Sequence, residues 1–200
     1  MRPVLKLSAA VLVLSAALAA PAFAADPQAQ INAFDDALVS VMKNSKSLGF
    51  QGRYAELKPA VEQTLDIPTM SRIAVGAAWT GMTEAQREAI IQAFTRLTVA
   101  SYAHNFSGWS GEHFVVDPNV LTRGQDKVVQ TRLLSKGEPV TLAYRMRQTP
   151  GGAWKVIDIY YNGSISELTT RRSDFQATLA AGGPQALAEH LNAQAEKLSR

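Results

Sequence analysis

The sequence contains no cysteine, so it can form neither a disulfide framework nor a thiolate metal site. Histidine is scarce as well: His104, His113 and His190 do not stand at the helical spacing of metal ligands. The G-x-S-x-G, Walker and G-x-G-x-x-G motifs of common hydrolases and nucleotide-binding proteins do not occur. We therefore predict no catalytic residue, no metal and no cofactor.

A strong charge of one sign is also lacking. The chain has 20 Lys and Arg against 17 Asp and Glu, which gives a formal net charge of +3. Two of the basic residues, Arg2 and Lys6, belong to the N-terminal segment described next. The remaining charges are of both signs, spread along the chain, and they are too balanced for a phosphate-binding surface. Nucleic acid is therefore not a predicted partner.

The chain begins with the pattern of a secretory signal peptide. Residues 1–25 combine two basic residues, an apolar run over residues 11–20 and an A-F-A cleavage motif at residues 22–24. Pro21 ends the apolar run before it reaches the roughly 20 residues that a bilayer span requires. We expect cleavage after this segment, which leaves residues 26–200 as a single domain. Without cysteine the product has no lipid anchor, so we expect a soluble periplasmic protein.

Apolar spacing and capping patterns predict helices in the first half of the chain, over residues 27–49, 53–63, 66–76 and 84–105. The last of these begins at a capping box formed by Thr83 and Gln86. Its apolar residues cover more than one narrow stripe, so we expect this helix to be central and largely enclosed. Two further helices are predicted over residues 164–180 and 184–198.

The middle of the chain changes to an alternating pattern, which predicts strands over residues 113–116, 127–134, 140–148 and 154–161. Short turns join the last three strands, so they should form an antiparallel meander. Both faces of the strand over residues 154–161 are apolar, and we expect it to lie centrally and to be covered on both sides. The fold class is therefore α+β.

Asp158 is the one acidic residue in this apolar strand. A buried carboxyl group with a raised pKa can act as a general base. We instead expect a structural role, with Asp158 paired to Arg172 on the following helix. The aromatic residues near the sheet fit either ordinary core packing or a ligand cavity, and residue types alone leave both interpretations open.

Two stretches resemble the MlaC family of periplasmic phospholipid carriers. Residues 65–87 carry the pattern D-x-x-x-M-x-R-x-x-x-G-x-x-W followed by T-x-x-Q-R. The W-K-V-I-D segment at residues 154–158 and the R-S-D-F segment at residues 172–175 are similar to the family's W-K-V-x-D and Y-R-S-x-F. Arg171 stands where the family usually has Tyr, and the sequence around it looks closer to the hopanoid-cluster branch of the family.

The resemblance implies a twisted antiparallel sheet of about four strands wrapped by about six or seven helices. An apolar pocket between sheet and helices would take the acyl chains of a phospholipid or hopanoid. We expect this lipid-binding pocket to involve Trp79, Phe94, Leu97, Tyr102, Leu142, Tyr144, Ile159 and Tyr161. The implied partners are an inner-membrane ABC transporter complex and an outer-membrane lipoprotein complex, between which the protein shuttles lipid.

Two other classes of function stay open at this point. A small exported enzyme would use Asp158 as a base with His104 or Tyr144 nearby, and a structural envelope module would have a filled core. For a carrier, the glycine-bearing segment at residues 106–111 is a candidate for a mobile entrance. An ordinary helix-to-strand connection is the competing interpretation of that segment.

Overall fold

Helices form the first part and the C-terminal part of the chain in a computed structural model that describes residues 26–199. The predicted signal peptide at residues 1–25 lies outside the described residues. The helices are α1 (Pro27–Lys43), α2 (Ser45–Thr64), α3 (Ile67–Val75), α4 (Glu84–Asn105) and α5 (Glu167–Leu198), and a 3₁₀ turn follows α3 at Gly76–Gly81. Within residues 26–199, every helix is too short or too polar to cross a bilayer.

Six strands lie between α4 and α5 or at the start of α5, and they form one antiparallel sheet. They are β1 (His113–Val116), β2 (Leu121–Arg123), β3 (Asp126–Leu134), β4 (Val140–Gln148), β5 (Trp154–Tyr161) and β6 (Ile165–Ser166). The strand order is β1-β3-β4-β5-β6, and β2 also pairs with β3. This arrangement confirms the α+β class and the meander of β3, β4 and β5. The two strands beyond the expected four are the short β2 and β6.

Local capping fixes the beginnings of α3 and α4. The Asp66 carboxylate accepts a hydrogen bond from Thr69 N at 3.0 Å. Thr83 and Gln86 form the predicted capping box, because Gln86 N donates to Thr83 Oγ1 at 3.2 Å and Thr83 N donates to Gln86 Oε1 at 2.9 Å. Both helices therefore start where the sequence places them, and α4 packs against α2, α3 and α5 as an enclosed central helix.

Two helices are kinked at glycine, which changes the helix count. Gly183 has φ 73° inside α5, and Gly49 has φ 58° inside α2, a region that glycine occupies without strain. The predicted break between residues 180 and 184 is therefore a kink within one long helix. Five α-helices replace the six or seven expected.

The two faces of β4 differ as its alternating sequence predicts. Tyr144 and Met146 are buried in the main core on the face that meets the helices. On the opposite face, Arg145 and Arg147 both bind the carboxylate of the buried Asp126, with Arg147 Nε 2.7 Å from Asp126 Oδ1. The sheet therefore has one face toward the core and one charged outer face.

The prediction that β5 is the central strand is wrong. β5 pairs with β4 on one side and only with the two-residue β6 on the other, so β4 lies nearer the middle of the sheet. Its burial has a different origin. Leu65 forms a parallel bridge with Val156, Asp66 N donates to Val156 O at 2.8 Å, and α3 and α5 pack against the strand.

Candidate functional site

A cavity of about 260 Å³ opens between the inner face of the sheet, the C-terminal half of α4 and the first turns of α5. Its wall combines aromatic, aliphatic and a few polar side chains. The lining residues are Thr98, Ser101, Tyr102, Asn105, Phe106, Leu133, Val140, Leu142, Tyr144, Ile159, Tyr161, Glu167 and Arg171. This composition, mostly apolar with a few convergent polar groups, is typical of small-molecule sites.

The wall contributed by α4 is a single helical stripe. Thr98, Ser101, Tyr102 and Asn105 stand at positions i, i+3, i+4 and i+7, so they share one face of the helix. The Tyr102 ring stacks on Phe106 with a centroid distance of 5.8 Å and an interplanar angle of 16°. These two rings form an aromatic surface along one side of the cavity.

The sheet contributes alternate residues of β4 and β5. Leu142 lies opposite Tyr161, and Tyr144 lies opposite Ile159, in the register of this antiparallel pair. Residues directly opposite each other project from the same face, so all four side chains reach the cavity together. Tyr161 remains 41% exposed at the open end, and the Val140 side chain is exposed beside it.

The first turns of α5 place one ion pair on the cavity wall. Arg171 Nε donates to Glu167 Oε1 at 3.0 Å, and both side chains are about four-fifths buried. The Arg171 guanidinium also lies 5.4 Å from the centroid of the Phe94 ring, within the range of a cation–π contact. The polar part of the wall is therefore neutral in net charge.

Three tyrosines line the cavity, and their phenol groups stay protonated at neutral pH. Burial raises the pKa of Tyr102 and Tyr144 well above the ordinary value, and it raises the pKa of Tyr161 to about 12. The Asp35 carboxyl acts on both Tyr102 and Tyr144 and raises their pKa values further. None of these phenols carries the charge that a nucleophile or general base requires at neutral pH.

Asp35 itself lies inside the core on α1, with only 3% of its surface exposed. Neither of its carboxylate oxygens has a hydrogen-bond partner among residues 26–199. Burial, and to a smaller extent the charge of Asp36, raises its pKa to about 8. At neutral pH this carboxyl group is therefore mostly neutral, which is the form that an apolar core tolerates.

Five of the eight residues predicted for the pocket line this cavity: Tyr102, Leu142, Tyr144, Ile159 and Tyr161. The other three do not. Phe94 is fully buried and meets Phe175 edge to face at 5.5 Å, Leu97 is buried in the core, and Trp79 packs in the 3₁₀ turn beside Arg87. Lipid binding by all eight residues stays a prediction. Phe94, Leu97 and Trp79 lie outside the cavity.

Five polar lining residues lie outside the predicted pocket. Thr98, Ser101 and Asn105 share the α4 stripe with Tyr102, and helical spacing was the signal that points to them. Glu167 and Arg171 reach the cavity only because α5 turns back across the end of the sheet. No local pattern in the sequence predicts that α5 turns back across the sheet.

The predicted buried pair between Asp158 and Arg172 is absent. Asp158 is buried, but it accepts hydrogen bonds from Ser166 Oγ at 2.7 Å, from Ile159 N at 2.9 Å and from Leu168 N at 3.3 Å. Arg172 is exposed and lies against Gly76 instead. Asp158 thus anchors the start of α5, because its oxygens satisfy amide and hydroxyl donors there.

The residues of the enzyme hypothesis do not meet in one place. Asp158 lies opposite Arg145 in the β4–β5 register, on the outer face, whereas Tyr144 faces the cavity. His104 is exposed on α4 and does not line the cavity. Residues 26–199 also contain no group of three or more His, Asp or Glu placed to hold a metal ion. Within residues 26–199, the side chains named by the enzyme hypothesis therefore lie apart from one another.

Comparison with known proteins agrees with this geometry. Residues 32–193 match the family model of the MlaC protein. The fold is also similar to the solved structure of the phospholipid-binding protein from Ralstonia solanacearum in complex with a phospholipid. That match has 25% sequence identity and a TM-score of 0.76, and it covers 88% of this chain and 100% of the other. No curated protein matches the sequence.

Proposed function

The chain belongs to the MlaC protein family, and we propose that it is a periplasmic lipid carrier. In this proposal it moves phospholipid or a related lipid between the inner and outer membranes as the auxiliary component of an ABC transport system. A lipoprotein complex in the outer membrane is its second partner. ATP is used by the transporter, and the carrier itself performs no chemical reaction.

The observation that carries this proposal is the cavity between sheet and helices. It combines the Tyr102–Phe106 aromatic wall with aliphatic residues of the sheet. The similar protein from Ralstonia solanacearum holds a phospholipid, and the same class of ligand fits the apolar lining here. The lipid's acyl chains would enter this cavity while the head group stays near the exposed end at Tyr161 and Val140.

Physical chemistry explains why such a carrier is needed. Each methylene group left in water costs about 0.8 kcal/mol, so an acyl chain of about fifteen methylenes costs on the order of 12 kcal/mol to expose. A protein that encloses the chain removes this cost during the crossing of an aqueous compartment. Enclosure requires shape and an apolar wall, and it requires no catalytic group.

The size of the cavity indicates how the cargo enters. A volume of about 260 Å³ lies just below the roughly 300–1,000 Å³ of most small-molecule pockets. We therefore propose that the sheet and α4 separate when lipid binds, which enlarges the space. A hopanoid, a rigid polycyclic lipid, is the alternative cargo, and the same apolar lining would receive it.

A fluorescent acyl probe tests the carrier function at a single position. Leu142 faces the cavity, and the neighbouring Thr141 projects from the other face of β4. Replacing Leu142 with Trp fills the cavity and should reduce probe uptake at least tenfold. Thr141→Trp adds the same side chain outside the cavity and should leave uptake unchanged. Equal uptake by both variants, each shown to be folded, would contradict the assignment of the cavity.

A further inference from the structure

A second concave surface lies on the other side of the loop that follows α4. It is a groove of about 490 Å³ between the end of α1, the start of α2 and the loop residues Ser107, Gly108 and Trp109. Lys43 and Lys46 also line it. We call this surface the Trp109 groove. It is separate from the lipid cavity, because the two share no lining residue.

The charge of the Trp109 groove is positive. Lys43 and Lys46 are both exposed, and no acidic residue lines the groove. Neither lysine forms a salt bridge with any residue between 26 and 199. Both charges are therefore free to meet an external anion, in contrast to Arg145, Arg147 and Arg171, which are paired within the protein.

Trp109 gives the groove an apolar component. Its side chain is 50% exposed, and the Lys43 ammonium lies 5.4 Å from the ring centroid. The indole Nε1 donates to Glu112 O at 3.0 Å, so the polar end of the ring is already satisfied within the loop. The ring can leave water without stranding a hydrogen-bond donor. Tryptophan flanked by lysine is the combination that interfacial membrane contacts use.

We propose that the Trp109 groove docks on the surface of an anionic lipid bilayer. The two lysines would meet lipid phosphates while the Trp109 ring enters the interfacial layer. The position of the loop supports this occupant, because Phe106 lines the lipid cavity three residues before Trp109. Contact at Trp109 would hold the end of α4 and its aromatic wall next to the membrane.

Sedimentation with lipid vesicles tests the proposal. The purified protein should bind vesicles of phosphatidylcholine and phosphatidylglycerol in equal parts more tightly than vesicles of phosphatidylcholine alone. Each lysine near a charged surface contributes about fivefold in affinity, so Lys43→Gln with Lys46→Gln should lower binding about 30-fold. Trp109→Ala should lower vesicle binding about tenfold. Trp109→Phe keeps an aromatic ring and should lower binding by less.

A matched pair of substitutions controls for net charge. Lys58 and Lys197 are exposed and do not line the groove, and Lys58→Gln with Lys197→Gln changes the total charge by the same amount. This control should leave vesicle binding within about twofold of the wild type. An equal loss in both double variants would reduce the effect to overall charge and overturn the proposal. Binding to neither vesicle would also overturn it and would leave the groove to an acidic protein partner.

A second readout separates this surface from the carrier function. Uptake of a dispersed acyl probe in the absence of vesicles reports on the cavity and should be unchanged in the Lys43→Gln and Lys46→Gln variant. A protein that carries no lipid but still binds anionic vesicles through Trp109 would refute the carrier function and support the docking surface. Loss of probe uptake in the lysine variant would instead place these residues in the cavity's own function and contradict the proposal.

Discussion

Arg171 and Glu167 are joined by a 3.0 Å hydrogen bond on the wall of the cavity, and the Arg171 guanidinium also covers the Phe94 ring. The pair lies one helical turn apart in the first turns of α5. Both side chains belong to the part of the cavity wall that α5 contributes, where α5 packs against α4. If the cavity takes lipid as proposed, the pair would slow lipid exchange.

Removal of the Arg171 side chain should speed the release of a bound acyl probe severalfold. Arg171→Ala deletes both the ion pair and the cover over Phe94, while Glu167→Gln keeps an acceptor for Arg171 Nε. The expected stability loss is only about 0.5–1.5 kcal/mol, the sum of a helical ion pair and a cation–π contact. Stopped-flow release rates check this. Identical rates for Arg171→Ala and the wild type would show that the pair is no barrier.

Asp35 should make the protein less stable as pH rises. Its pKa is about 8 in the folded protein against an ordinary value of 3.8, so between these pH values the folded state holds a proton that the unfolded state has lost. The free energy of unfolding should fall by about 1.4 kcal/mol per pH unit in that window from this group alone. Above the folded pKa the decline should stop.

Asp35→Asn removes the titrating group. The free energy of unfolding, measured by chemical denaturation, should then depend less on pH between 3.8 and about 8. Asp36 is the matched control, since it is adjacent and exposed. Asp36→Asn should keep most of the slope, because burial is the larger cause of the Asp35 shift. The same slope in Asp35→Asn as in the wild type would show that Asp35 does not retain its proton.

Asp158 should stabilise the fold without help from Arg172. Asp158→Ala leaves Leu168 N, Ile159 N and the Ser166 hydroxyl without their acceptor, at an expected cost of about 1–3 kcal/mol. Arg172→Gln should cost little, and the two effects should add within about 0.5 kcal/mol. A double-mutant cycle measures this. A coupling free energy well above that limit would show that Asp158 and Arg172 interact directly, as the sequence predicted.

The strand pattern was predictable because alternation is local. β4 and β5 begin and end at the predicted residues, 140–148 and 154–161. The place of β5 in the sheet was not predictable, because its two apolar faces reflect α3, α5 and the Leu65 bridge rather than neighbouring strands. An apolar sequence pattern predicts that a residue is buried, but it does not predict which element covers that residue.

The same limit applies to the cavity. Phe94 lies on the α4 stripe four residues before Thr98, yet Phe175 fills the space in front of it. Helical spacing therefore predicts which face of α4 meets the cavity, but it does not predict where along α4 the cavity ends. Asp158 shows a second limit, since an apolar flank correctly predicts a buried carboxylate while its partners come from the turn into α5.

The two glycines of the loop after α4 should respond differently to alanine. Gly111 has φ 113°, which alanine adopts only with strain, whereas Gly108 has open space around it and no positive φ. Gly111→Ala should lower stability by about 1–2 kcal/mol, and Gly108→Ala should leave it unchanged. If the loop is a mobile entrance, Gly108→Ala should slow lipid exchange without weakening binding. Equal exchange rates would make the segment a plain connection.

Native mass spectrometry of the freshly purified protein, followed by lipid extraction, tests the central claim most directly. A carrier should show a protein–lipid complex whose extra mass matches one lipid molecule, and the extract should identify phospholipid or hopanoid as the cargo. Removal of that lipid should leave a protein that takes up an acyl probe, with uptake reduced in Leu142→Trp. A protein that is free of lipid and takes up no probe would contradict the account.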